Sequence, residues 1–257
     1  MNEKIFEGVK ADLVANEDYL RNHEPRFRIS AEAVKATNES SGDQPRLLDI
    51  GCWPGYLSLY FKRQGWEVSA IDLKPDRIPI ISDAGIDLIA HDLNENPELP
   101  YPENHFDSIL FTEVFEHLNP ASFERLFTGI EKCLKPGGRL ILTTPNRLAL
   151  NKNLLIPNRW SEPEVDEEGH GHWKEYRLSE VIKCFASTDL GIIRKETVSF
   201  YSNLGRSNET GYFPLSDWRN HPNKPRNFAK IAINPIRNIP IFRDSLIVVA
   251  EKNRKEG

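Results

Sequence analysis

Short apolar runs alternate with amphipathic segments through the middle of the chain, and this alternation predicts strands followed by helices. Strands are predicted at 46–50, 66–71, 86–90, 106–111, 138–144, 189–200 and 245–252, and helices at 55–64, 76–84 and 120–134. An order of this kind is typical of a mostly parallel sheet with helices on both faces. Such a sheet binds its ligands at the carboxyl ends of its strands.

The first 44 residues read as an N-terminal helical segment, and residues 45–257 read as the main domain. An apolar stripe runs from Ile5 to Val14, and a second apolar segment follows Pro25. Because proline lacks a backbone N–H and clashes with the preceding turn, we expect Pro25 to separate two helices.

Two insertions, 145–177 and 201–243, interrupt the main domain on the carboxyl side of the predicted sheet. Long loops at that edge usually form lids or substrate walls. The second insertion holds seven Lys or Arg residues and two acids, Glu209 and Asp217. Three interpretations stay open for it: binding of an anionic substrate, peripheral contact with a membrane surface, or a solvated cap on its own domain.

The most informative local pattern is the run Arg46-Leu-Leu-Asp-Ile-Gly-Cys-Trp-Pro-Gly55. A buried strand ends at a turn framed by Gly51 and Gly55, and a helix follows. Glycines let a ligand approach the backbone closely, and Pro54 suits the first turn of the helix. The N-terminus of that helix offers free N–H groups to the ligand.

Asp72 ends the second predicted strand, roughly 20 positions after this loop. An acid at that distance accepts ribose hydroxyls in nucleotide-binding α/β folds. A dinucleotide site would also require the pattern G-x-G-x-x-G for the pyrophosphate. Here Trp53 stands between Gly51 and Gly55, which opposes an NAD-dependent oxidoreductase and favours a ligand with a ribose but no phosphate.

At this point the sequence resembles a known family. The loop is similar to motif I of the class I S-adenosylmethionine (SAM) methyltransferases. The resemblance continues through the segments Ala70–Asp72, Phe106–Leu110, Glu113–Leu118 and Leu134–Asn146. It covers about residues 45–200 and returns at 245–252. It implies a Rossmann-like, seven-stranded sheet sandwiched by helices, mostly parallel with one antiparallel strand, and SAM as the cofactor.

The resemblance also implies which residues bind the cofactor. They are Asp49, Gly51, Cys52, Gly55, Asp72, Leu73, Asp92, Leu93 and Glu113. Asp49 and the two glycines shape the loop, and Asp72 takes the ribose. Asp92 would meet the exocyclic amine of adenine, and the neighbouring Leu93 would cover the ring.

The segment Glu113-Val-Phe-Glu-His117 carries the candidate chemistry. If it is helical, Glu113, Glu116 and His117 share one face and are candidate ligands for Mg²⁺ or Mn²⁺. A bound cation would lower the pKa of an acceptor hydroxyl and orient it. Glu116, His117 and His172, the last from the first insertion, are the candidate catalytic groups. A structural histidine–carboxylate pair is the alternative.

Two subfamilies share the E-x-x-E-H pattern: ubiquinone-pathway-type O-methyltransferases and small-RNA 2′-O-methyltransferases. We predict methyl transfer to an oxygen of a small molecule, a sugar or a lipid-linked intermediate. A metal-dependent RNA 2′-O-methyltransferase and a non-catalytic SAM-binding partner protein are the alternatives.

Composition narrows these options. The 257 residues carry a net charge of −5 with a pI of about 5.9, which disfavours a nucleic-acid partner. The three cysteines are odd in number and far apart, as expected in a reducing cytoplasm. The first residues lack the apolar core of a signal peptide, and no apolar run is long enough to span a bilayer. The sequence does not predict the oligomeric state.

Overall fold

The computed structural model describes residues 17–35, 44–149, 172–198, 240, 243 and 245–254. The helices are α1 (Glu17–Lys35), α2 (Tyr56–Arg63), α3 (Pro79–Asp83), α4 (Phe123–Cys133) and α5 (Leu178–Lys183). The strands are β1 (Arg46–Ile50), β2 (Glu67–Asp72), β3 (Asp87–Ala90), β4 (Phe106–Thr112), β5 (Leu134–Pro145), β6 (Leu190–Val198) and β7 (Ser245–Lys252). Short 3₁₀ turns cover Pro75–Arg77, Phe115–His117 and Pro120–Ser122.

The strands form one seven-stranded sheet in the order β3-β2-β1-β4-β5-β7-β6. Neighbouring strands from β1 to β5 pair in parallel, and β7 runs antiparallel to both β5 and β6. The predicted fold, with its single antiparallel strand, is therefore confirmed. The strand order reverses between β1 and β4, and the crevice at such a switch point is where open α/β sheets bind their ligands.

The sheet separates two apolar layers, because successive side chains of a strand point to opposite faces. Leu110 of β4 packs into the layer that also holds residues of α1 and α2, and its neighbour Phe111 packs into the layer of α4. Phe61 anchors the first layer, while Phe115 and Phe127 anchor the second. Residues of β1 and β4 pack into both layers, which fixes the positions of these two strands at the crevice.

The expected break at Pro25 is wrong, since α1 runs through this proline as one helix. A proline inside a helix costs about 3 kcal/mol, because it removes a backbone hydrogen bond and its ring clashes with the preceding turn. The next two turns bury Phe27, Ala31 and Val34 against the first layer, and each large apolar side chain buried contributes about 1.5–3 kcal/mol. Tertiary packing therefore outweighs the local penalty. The apolar stripe from Ile5 to Val14 lies outside the described residues.

Two other elements differ from their predicted form. The helix expected over 76–84 is a 3₁₀ turn followed by the short α3, which begins at Pro79. Strand β5 starts at Leu134 rather than at 138, and its pairing with β4 shifts register between Phe106 and Ser108. The Gly-Gly segment, in which Gly137 has φ 80°, is thus an irregular start of the strand.

Most of both predicted insertions, 145–177 and 201–243, lies outside the described residues, and the predicted division at residue 44 stays a prediction. Within the described ranges, no helix is long and apolar enough to cross a membrane.

Candidate functional site

A pocket of about 690 Å³ lies at the carboxyl ends of β1 to β4 and is closed on one side by α1. That volume suits a drug-sized ligand. The loop residues predicted to hold the cofactor line it, with the exception of Gly55. These are Asp49, Gly51, Cys52, Asp72, Leu73, Asp92, Leu93 and Glu113. The pocket also contains the candidate catalytic residues Glu116, His117 and His172.

The two loop glycines are required by backbone geometry. Gly51 has φ 65°, and a Cβ at this position would lie 2.2 Å from Cγ2 of Val114. Gly55 has φ 97° at the N-cap of α2, where a Cβ would lie 2.7 Å from Cδ1 of Ile81. Gly51 therefore allows the loop to pass close under the pocket, while Gly55 turns the chain into the helix without facing the ligand space.

Trp53 and Pro54 form the mouth side of this loop. The prediction that Pro54 lies in the first helical turn is wrong, because α2 begins only at Tyr56. The Trp53 side chain is 58% exposed, while its backbone N–H donates to Oδ2 of Asp72 at 3.3 Å. Oδ1 of Asp72 accepts the N–H of Lys74 at 3.0 Å. Asp72, the residue predicted to bind the ribose, thus also connects the β1 loop to the end of β2.

Asp49 and Cys52 lie at the floor of the pocket and are almost fully buried. The Ser58 hydroxyl donates to Oδ2 of Asp49 at 2.5 Å and fastens β1 to α2. Burial raises the pKa of Asp49 to about 7, the Ser58 hydrogen bond opposes this shift, and the nearby Asp72 charge adds to it. Burial likewise raises the pKa of the Cys52 thiol, which keeps it protonated.

The third strand end places Asp92 and Leu93 beside Asp72. The N–H of His91 donates to the carbonyl oxygen of Asp72 at 3.0 Å, which joins the two strand ends. Oδ1 of Asp92 accepts the N–H of Asn94 at 2.8 Å, and Leu93 is buried. The residues predicted for ribose and adenine therefore line one continuous wall.

Glu113 does not lie on a helix with Glu116 and His117, so the condition for a shared helical face is not met. Its φ is 56°, and only Phe115–His117 form a 3₁₀ turn. Its backbone N–H donates to the carbonyl oxygen of Thr143 at 2.9 Å, which extends the β4–β5 pairing by one residue and redirects the side chain. Oε1 of Glu113 accepts the Thr143 hydroxyl at 2.9 Å.

Arg26 of α1 is the cation that faces Glu113. Its Nη1 lies 3.1 Å from Oε2 of Glu113, and the Arg26 side chain is only 3% exposed. The Ser245 hydroxyl of β7 donates to Oε1 of Glu113 at 3.3 Å. Burial, with the nearby Arg26 charge, lowers the pKa of His23 to about 3, so this pocket histidine is neutral. The Glu113 carboxylate thus connects α1, β5 and β7 at the pocket.

A second group combines a buried carboxylate with two imidazoles. Single ligand atoms of Glu116, His117 and His172 all lie within 4.8 Å of one another. The Thr144 hydroxyl donates to Oε2 of Glu116 at 2.9 Å. Nε2 of His117 lies 3.9 Å from Oε1 of Glu116. This group differs from the predicted ligand set, because it includes His172 while Glu113 faces Arg26. Metal binding stays a prediction.

The electrostatics of this group depend on the burial of Glu116. Its carboxyl is 1% exposed, and burial raises its pKa well above the usual range, with the Glu113 charge adding to the shift. The rings of His117 and His172 meet edge to face, with centroids 4.8 Å apart. A divalent cation would relieve the cost of a charged carboxylate here, because buried charges require a partner.

The backbone explains how His172 reaches this group from the first insertion. The N–H groups of Trp173 and Lys174 both donate to the carbonyl oxygen of Glu116, at 2.7 and 3.3 Å. The hypothesis that His172 folds back to the end of β4 therefore agrees with its position.

Sequence reasoning missed Arg26, His23, Thr144 and Glu175, which contribute to the site. The polar pair Thr143-Thr144, directly after the apolar run Leu140–Leu142, was a usable signal, because buried hydroxyls need partners. Spacing offered no signal for Arg26, since its partner lies far along the chain.

Comparisons with known proteins agree with this geometry. A family described as a methyltransferase domain matches residues 21–195. A ubiquinone biosynthesis O-methyltransferase from Xanthomonas axonopodis pv. citri is 28% identical over 160 residues, which cover 58% of this chain and 62% of that protein. The protein of the same name from Caulobacter vibrioides is 34% identical over 149 residues, covering 54% and 56%. The chain therefore spans less than two thirds of the length of these curated relatives.

A solved structure, a SAM-dependent methyltransferase from Archaeoglobus fulgidus, shares the fold. Its TM-score is 0.56 at 18% identity, and the alignment covers 89% of this chain and 97% of that one. The fold of this chain is the one seen in SAM-dependent methyltransferases. The family match covers residues 21–195, from α1 into β6, so the chain belongs to the methyltransferase-domain family.

Proposed function

We propose that the chain transfers the methyl group of SAM to an oxygen of a small-molecule, sugar or lipid-linked acceptor, assisted by a divalent cation at Glu116, His117 and His172. One observation carries this proposal: a buried carboxylate and two imidazoles converge in the same pocket as the cofactor loop. The names of the relatives support oxygen as the methylated atom.

The order of the polar residues along the strand ends is consistent with one orientation of SAM, with adenine toward β3 and the methionine end toward β4. Asp92 and Asp72 lie at β3 and β2, which suits adenine and ribose, while Glu113 and Arg26 lie at the β4 side. The methionine end carries an amino group and a carboxylate, which are complementary in charge to Glu113 and Arg26. When bound, SAM supplies a methyl group already activated by its sulfonium charge. The chain must hold the acceptor oxygen in line and accept its proton.

The donor set of the second group fits a cation and favours one of the two predicted ions. Two imidazoles in the donor set disfavour Mg²⁺, which binds almost entirely through oxygen ligands, and Mn²⁺ is the remaining ion of the two. A bound cation would lower the pKa of the acceptor hydroxyl and orient it. His117 is 36% exposed and reaches the pocket, so it is the group placed to take a proton if activity proves independent of metal.

The test uses methyl-labelled SAM with fractionated cell extract, with Mn²⁺, with Mg²⁺ and with a chelator. We expect label in a small-molecule, glycan or lipid fraction, and more of it with Mn²⁺. His117→Ala should abolish the transfer, whereas His105→Ala, a matched change outside the pocket, should preserve it. Label in an RNase-sensitive fraction would instead favour RNA 2′-O-methylation, and SAM binding without transfer in any fraction would favour a non-catalytic partner.

A further inference from the structure

Glu175 is a buried carboxylate beside His172 that the proposed reaction leaves without a role. Its side chain is 5% exposed and lines the pocket. Its Oε1 lies 3.6 Å from Nδ1 of His172, which is itself 28% exposed. At 3.6 Å the two atoms lie just beyond hydrogen-bond distance, so the contact is a close approach of the carboxylate to the edge of the imidazole and not a formed hydrogen bond.

The backbone around Glu175 holds both side chains in a fixed relation to Glu116. Two successive N–H groups, those of Trp173 and Lys174, donate to the Glu116 carbonyl oxygen. On the other side of Glu175, the carbonyl oxygen of Tyr176 accepts the N–H of Arg147 at 3.0 Å. The contact between His172 and Glu175 therefore belongs to a strand-like segment anchored at both ends.

The neighbouring Lys174 pairs with a different carboxylate, that of Glu180. Nζ of Lys174 lies 2.6 Å from Oε1 of Glu180 and 5.0 Å from the ring centroid of Tyr176. Lys174 thus points along α5, and Glu175 points the opposite way, into the pocket.

We propose that Glu175 is a positioning residue: its carboxylate, 3.6 Å from Nδ1 of His172 in this structure, closes to accept the Nδ1 proton and leaves the Nε2 lone pair facing Glu116 and His117. A neutral imidazole carries one N–H, so a partner on Nδ1 fixes both the tautomer and the ring angle. Carboxylates that orient a metal-binding histidine in this way raise metal affinity. This role rests on the proposed cation site, but the tautomer itself can be read without a metal.

The deciding experiment is long-range ¹H–¹⁵N NMR of histidine-labelled, metal-free protein at about pH 8, where imidazole is neutral. His172→Gln assigns the signal. We expect the Nδ1–H tautomer in the parent chain and in Glu180→Gln, a matched control whose carboxylate pairs with Lys174. Glu175→Ala should shift the signal to the Nε2–H tautomer, and Glu175→Gln, which retains an acceptor oxygen, should restore it. An Nε2–H tautomer in the parent chain, or a spectrum unaffected by Glu175→Ala, would overturn the proposal.

Mn²⁺ alone, titrated by electron paramagnetic resonance, provides the second readout. We expect Glu175→Ala to weaken Mn²⁺ binding about 10-fold or more, with Glu175→Gln in between and Glu180→Gln unchanged. Equal Mn²⁺ affinity in the parent chain and in Glu175→Ala would contradict the role of Glu175. If the parent chain binds no Mn²⁺ while the tautomer behaves as expected, the cation site fails and the positioning of His172 stands.

Discussion

The buried ion pair between Arg26 and Glu113 should contribute measurably to stability, and it can be isolated by a double-mutant cycle. At 3.1 Å the two charges attract by about 5 kcal/mol at an effective dielectric constant of about 20. The cost of removing both charged groups from water offsets part of this attraction. Removing one partner of a buried pair typically costs about 3–5 kcal/mol, because the other charge is left uncompensated.

Glu113 is 21% exposed, so the lower end of that range applies. We expect Arg26→Met to lower the free energy of unfolding by about 3 kcal/mol. The double variant with Glu113→Gln should recover part of this loss, because a neutral amide still accepts the Thr143 hydroxyl and needs no cation. The coupling energy of the cycle should therefore be about 2 kcal/mol.

Urea unfolding followed by circular dichroism measures all four free energies, with equal m-values as the check that only stability changes. The same helix provides a matched control in Arg28 and Glu32, whose side chains are both 51% exposed at 3.5 Å. That exposed pair should couple by only about 0.3–0.5 kcal/mol. A coupling energy for Arg26 and Glu113 as small as that of the control would refute the reasoning.

Three further predictions concern the loop, the pH dependence and the core. Gly51→Ala should abolish SAM binding in calorimetry, because φ 65° and a 2.2 Å contact both oppose a Cβ, whereas Gly65→Ala, with φ 85° and open space, should keep it. The pKa of His23 is lowered from 6.5 to about 3, so its contribution to stability is complete above pH 6.5 and falls as the pH decreases toward 3. At pH 5 the loss is about 2 kcal/mol, and urea unfolding of His23→Gln should show a flatter pH profile. Phe115→Ala, at a fully buried position, should lower the free energy of unfolding by about 3–5 kcal/mol; a loss below about 1 kcal/mol would contradict the assigned packing.

The sequence alone determined the order of strands and helices, the glycine loop and the acids at the strand ends. These features follow from short-range rules: apolar periodicity selects strand or helix, and the parallel order brings strand ends to one edge. Asp72 and Asp92 were predicted correctly as pocket residues because each simply follows its own strand. Their binding roles stay predictions.

Only the tertiary structure decided what the side chains near β4 do. Local rules allowed a helix at Glu113 and predicted a break at Pro25, yet the chain turns at Glu113 and stays helical through Pro25. Glu113 turns because Arg26 and Ser245, both far away in sequence, supply its partners. The pairing of His172 with Glu175 and their approach to Glu116 likewise depend on backbone hydrogen bonds between distant segments. Long-range contacts of this kind leave no periodicity in the sequence, because burial and charge pairing act through space and not along the chain.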